Sequence, residues 1–176
     1  MPISLHAAFV PSAQQMLGAA DHLIDKAEAW CADRDCSHSE AIGARLHEDM
    51  LPFSYQVKSV AVHSAGAIEG VRKGVFSPDL NPPPEDFAGL RAAIAQAREA
   101  LDAVSEAEME GFIGRPTRFE FRDFQLPFTA EDFLLSFSQP NLYFHAATAY
   151  DILRMKGVAL GKRDFMGRLR VQRGAG

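Results

Sequence analysis

An all-α fold, a four-helix bundle with a short β-hairpin or extended flap before its last helix, is what the sequence predicts. Two observations carry this. Apolar residues recur at helical spacing over four long stretches, and one stretch, residues 117–128, instead alternates with period two. At 176 residues the chain suits one domain, residues 1–176, with length enough to bury a core.

Pro11 suits the first turn of a first helix, where its missing N–H costs nothing. Ala13, Met16, Leu17, Ala20, Leu23, Ile24, Ala27 and Trp30 then mark its buried stripe, with His22 almost opposite and expected in solvent. Ser37 and Glu40 read as a capping box for a short helix to about Leu46. The second helix is expected over residues 48–73, ended by Gly74, with Pro52 in its first turn. Asp49, Gln56 and His63 are seven residues apart, so they would line one edge of it. Residues 74–84 read as loop because of three consecutive prolines. A third helix starts near Glu85, with Phe87, Leu90, Ile94, Ala97, Leu101 and Val104 buried.

After the alternating segment, Pro127 would confine the second arm to an edge. Thr129 and Asp132 cap the last helical region, in which Pro140 predicts a kink or break between residues 133–138 and 141–156. On that last helix Asn141 and His145, four apart, share a face with Leu142, Ala149, Ile152 and Leu153. A histidine and an asparagine in an apolar stripe need partners, which makes them either a core network or a site.

Composition narrows the function. A net charge of −5 argues against nucleic acid as the main partner, although the C-terminal end is locally basic (Lys156, Lys162, Arg163, Arg168, Arg170, Arg173) and reads as a solvated tail. No apolar run approaches about 18 residues, so no membrane span is expected. The N-terminus lacks the pattern of a signal peptide, and Cys31 and Cys36 suit free thiols in a cytoplasmic protein. Neither cysteine has the spacing of a zinc knuckle. No GxSxG, GxGxxG, Walker-type loop or HExxH occurs.

Residues 140–167, PNLYFHAATAYDILRMKGVALGKRDFMG, together with EDMLPFSYQV at 48–57 and His63, resemble a bacterial domain-of-unknown-function family within the DinB/YfiT-like metalloenzyme superfamily. The resemblance spans essentially the whole chain. It implies a DinB-like four-helix bundle, often a homodimer. Such proteins typically carry a metal on three histidines, one on the second helix and an HxxxH pair on the last, and some use it to activate a low-molecular-weight thiol. Matched position by position, His63 takes the first place and His145 the second of the pair, while Asn141 stands where the other histidine would be. The expected site is therefore His63, Asn141 and His145 around one divalent ion, zinc or nickel, with Gln56, Asp49 and Thr148 in the pocket or behind the ligands.

Two functions follow. One is a metal-dependent transferase or hydrolase acting on a small molecule or thiol. The other is a non-catalytic bundle that binds a small molecule or dimerises, with a metal-free polar core. Two histidines fall short of the three strong ligands usual for zinc, so ligand count weighs toward the metal-free network. Tyr150 reads as a packing or dimer residue, and the GKRDF segment as a tail docked on the bundle.

Overall fold

The computed structural model of the chain describes residues 2–172, so Arg173 of the basic C-terminal end lies outside the described residues. Helix α1 spans Leu5–Asp33 and starts earlier than Pro11 suggests. Ser4 caps it by accepting from the Ala7 amide, and Leu5, Phe9 and Val10 are buried, so the capping and burial of the first turns outweigh the proline now inside the helix. Helix α2 is a single turn, Ser39–Ile42; its cap is His38, and the capping box expected from Ser37 does not form.

The second helical run begins at Phe53, not Glu48, because Pro52 is extended (ψ 169°) and serves as the cap. It comprises α3 (Phe53–Ala61), a π-turn (Val62–Gly66) and α4 (Ala67–Lys73), and ends at Gly74 with φ 71°. Helix α5 (Phe87–Asp102) is capped by Asp86, whose carboxylate accepts from the Gly89 amide. Helix α6 (Glu106–Glu110), α7 (Ala130–Asp132) and α9 (Lys162–Met166) are short, and α8 spans Gln139–Met155. Pro140 does not break the last run. A second π-turn (Phe133–Ser138) leads straight into α8, and Pro140 sits in the first turn of α8.

The chain is mostly helical, as expected, and the expected hairpin is extended by one strand to a three-stranded sheet of order β1-β2-β3. The expected hairpin is present as β2 (Pro116–Phe121) and β3 (Phe124–Thr129), with Pro127 on the edge strand. The segment read as loop contributes β1 (Val75–Phe76), which pairs in parallel with β2 through Arg118 and Phe119. Gly70 permits this close approach: a Cβ there would lie 2.8 Å from Phe76 Cβ. Helix α1 packs against α5 and α8, and α3 packs against α5 and α8. Their inward faces form the core, with Phe9, Phe53, Leu90, Ile94, Leu142 and Ile152 fully buried.

A candidate acceptor-lined site between α3 and α8

Helical spacing brings the polar residues together. Tyr55, Ser59 and His63 follow one another at i, i+4 and i+8 along α3 and its π-turn, and Asn141 and His145 are one turn apart on α8. Because α3 packs on α8, all five line one cavity of about 220 Å³. Phe76 of β1, Phe119 of β2 and Phe137 of the second π-turn form its aromatic wall. The His63 and His145 rings lie nearly parallel, 16° apart, with centroids separated by 5.6 Å.

Each of the three central residues has one polar atom tied to the protein. Gln56 is buried and its Nε2 donates to the Leu51 carbonyl (2.9 Å), which only accepts; this fixes the amide so that Oε1 faces His145 Nδ1 at 2.7 Å. The proton of His145 therefore sits on Nδ1, and Nε2 carries a lone pair. Ser138 Oγ lies 3.3 Å from both the His63 carbonyl and His63 Nδ1, and both contacts are hydrogen bonds only if Ser138 donates to the carbonyl and Nδ1–H donates to Oγ. Asn141 Nδ2 donates to the Phe137 carbonyl at 2.7 Å, leaving Oδ1. The two π-turns matter here, since one carries His63 and the other Ser138 and Phe137; such turns shift side chains out of α-helical register and are frequent at functional sites.

On these three residues the acceptors left free are His63 Nε2, His145 Nε2 and Asn141 Oδ1, beside the second Asn141 Nδ2 proton. Among the described residues the sealed side-chain polar atoms without a partner are Trp30 Nε1 and Thr117 Oγ1, so these three free atoms border accessible space. Burial pushes the His63 pKa down to about 4, helped by the neighbouring His145, and burial pushes that of His145 down to about 4 as well. Both imidazoles are neutral at pH 7.

One wall of the cavity is a charged clamp. Lys58, with a side chain 9% exposed, spends its three protons on the Asp79 and Asn81 carbonyls (3.1 and 2.5 Å) and on Asp79 Oδ2 (3.0 Å). Burial pushes the Asp79 carboxyl up, but Lys58 and the Asn81 amide outweigh it and hold the group below the ordinary carboxylate value. The pair fixes residues 77–81 against α3 and leaves no free charge in the cavity.

Of the residues expected at the site, His63, Asn141 and His145 line the cavity and Gln56 backs His145. Asp49 does not reach it: the helix starts at Phe53, and Asp49 lies in the preceding exposed turn, 2.6 Å from His47 Nδ1. Thr148 is buried away from the cavity. Cys31 is packed at the far end of α1, its thiol 3.7 Å from the Ser37 carbonyl, and burial together with Cys36 pushes its pKa up to about 11. Tyr150 packs edge-on against Phe165 of α9. Tyr55, Ser59, Ser138 and the Lys58–Asp79 clamp were not anticipated. Spacing could have found the first two, since they precede His63 by eight and four residues.

Residues 5–166 match the model of the family described as domain of unknown function DUF1993. The chain belongs to that family. A crystal structure of a DinB family member from Shewanella denitrificans superposes on the DUF1993 chain with a TM-score of 0.82 and 25% identity, covering 97% of this chain and 96% of that one. The fold is thus DinB-like. No curated protein matches the chain. Among the described residues no helix is long and apolar enough to cross a membrane.

The ligand set implied by the DinB resemblance can be tested against these atoms. No group of three or more His, Cys, Asp or Glu side chains among the described residues could hold a metal ion. His63, His145 and Asn141 line one cavity, and each histidine engages its Nδ1 within the protein as metal-bound histidines engage their second nitrogen. Two imidazoles and one amide, with neither thiolate nor free carboxylate, fall short of the donor set of a closed structural zinc site.

Proposed function

We propose that the four long helical runs form a DinB-type four-helix bundle whose cavity is a two-histidine, one-amide site for a single divalent ion, zinc or nickel. The observation that supports this is that both imidazole Nδ1 protons and one Asn141 amide proton are engaged inside the protein, which leaves two Nε2 lone pairs and Asn141 Oδ1 free on residues that line the cavity. A cluster of neutral acceptors attracts a cation, and the histidines need lose no proton to bind it at pH 7. When bound, the ion would supply Lewis acidity toward a water or a small thiol. The chain's own residues hold the acceptors in place through Gln56 and Ser138, cover one side with aromatic rings, and offer the Tyr55 and Ser59 hydroxyls as hydrogen-bonding groups beside the ion. The activity consistent with this arrangement is transfer or hydrolysis on a small, mostly apolar substrate. The aromatic wall also supports a second reading, a binder of small molecules that donate hydrogen bonds to the two imidazoles without any metal.

Untagged protein titrated with zinc or nickel separates the two. The metal reading expects close to one ion per chain, abolished by His145→Ala, and at least about tenfold tighter binding in Asn141→His, which supplies the third strong ligand. Binding below about a tenth of an ion per chain, or unchanged binding in His145→Ala, would overturn it.

A further inference from the structure

The opposite chemistry appears on another face. Arg98 of α5 and Arg168 and Arg170 of the C-terminal segment line a cleft of about 270 Å³ whose floor is α1 at Gln14, Gln15 and Gly18. On the helices, Arg72 pairs with Glu69 and Glu108, and Arg91 with Asp25 and Glu28. In the cleft, Arg98 has Asp21 at 3.7 Å, Arg170 contacts the Ser12 hydroxyl at 3.3 Å, and no carboxylate pairs with Arg168 among the described residues. Asp102 stands at the rim but is held by the Gln14 amide. Arg98 also borders Asp21, Glu99 and Asp102 on its other side, so the positive charge that the cleft itself holds in a chain of net charge −5 comes chiefly from Arg168 and Arg170.

The fold positions these arginines deliberately. Asp164 meets His22 at 2.7 Å, Gln15 Nε2 donates to the Met166 carbonyl at 2.6 Å, and Gly167 (φ 60°) lets the chain pass where a Cβ would lie 3.3 Å from the Gln15 carbonyl. The GKRDF segment, expected from sequence to dock on the bundle, is docked on α1, and His22, expected in solvent, is one of its partners. Gly18 adds an independent sign. A glycine inside a helix weakens it relative to alanine, yet a Cβ at Gly18 would meet nothing within 4 Å, so packing does not require the glycine. Its missing side chain leaves the cleft floor open.

We propose that this cleft binds a phosphate-bearing small molecule. Arginine forks match phosphate oxygens bidentately, and Arg168 and Arg170 together call for a ligand with at least two negative charges on a compact group, which a monocarboxylate lacks. The site shares no residue with the α3/α8 cavity, so it stands or falls separately.

Inorganic pyrophosphate, inorganic phosphate and citrate, each titrated into the full chain by calorimetry, test this. The expected result is saturable pyrophosphate binding that weakens with salt. Arg168→Gln should lose about tenfold or more in affinity. Gly18→Leu, which keeps every charge but fills the floor, should lose binding while melting no lower than the wild type. Absence of saturation with pyrophosphate, binding of citrate alone, or full affinity in Gly18→Leu would overturn the proposal.

Discussion

The α3/α8 cavity and the arginine cleft are built on opposite plans. In the cavity the imidazole Nδ1 protons are engaged internally, which leaves neutral Nε2 acceptors beside an aromatic wall. In the cleft the groups are charged donors on a polar surface with little internal satisfaction. The cavity lies between the helices that define the fold, whereas the cleft depends on a docked terminal segment. A buried site thus presents lone pairs by locking tautomers, and a surface site presents charge through arginines, Arg168 and Arg170, that have no carboxylate partner among the described residues.

The sharpest way to break this contrast is acid. The cavity histidines have pKa values near 4 in the folded protein against 6.5 for the free group. Between pH 6.5 and 4 the unfolded chain takes up protons that the folded one refuses, so stability falls with acidification over that window and is unaffected by these groups above it. Each histidine contributes a loss of up to about 3 kcal/mol. Chemical denaturation across this pH range should show the slope, and His145→Gln should flatten it; a slope unchanged in that variant would mean the ring is not held neutral.

Gln56→Leu comes next. It removes the acceptor that fixes His145 and should weaken zinc binding about 10–100-fold, equivalent to about 1–3 kcal/mol, with His145 still present. Zinc titrations of variant and wild type check this, and equal affinities would remove Gln56 from the site. On the cleft side, Gly18→Ala should raise stability by about 1 kcal/mol in denaturant melts, because the helix gains and no neighbour is touched. The smallest effect is expected from Asp49→Ala, within about 0.5 kcal/mol in stability and without change in zinc binding, since Asp49 sits in an exposed turn.

Much of the site could be read from sequence because it depends on helical spacing. Asn141 and His145 are one turn apart on one helix, and Gln56 and His63 two turns apart on another, so periodicity put each pair on one face before any tertiary contact was known. Asp49 failed the same argument because the extended backbone at Pro52 ends the period, a local effect that the seven-residue spacing ignores. The aromatic wall was out of reach for a different reason. Phe76 and Phe119 reach the cavity only because β1 pairs with β2 across some forty residues of chain, and a two-residue strand leaves no alternation to read. The π-turns were equally hidden, since their one-residue offset alters no sequence pattern; Pro140 was visible but pointed to a break rather than to a widened turn. The docking of residues 162–167 was expected, but its partners on α1, His22 and Gln15, were not, because the charge pattern of the segment alone does not reveal them.

The central claim is that His63 and His145 hold their protons on Nδ1 and turn bare Nε2 atoms toward a cation. Nitrogen-15 NMR of the histidine rings, recorded at pH 7 before and after one equivalent of zinc, addresses it directly. The account predicts two rings in the Nδ1–H form without metal, and on addition of zinc a change at both Nε2 signals while Nδ1 stays protonated. Rings in the Nε2–H form, or spectra that zinc leaves untouched, would contradict it.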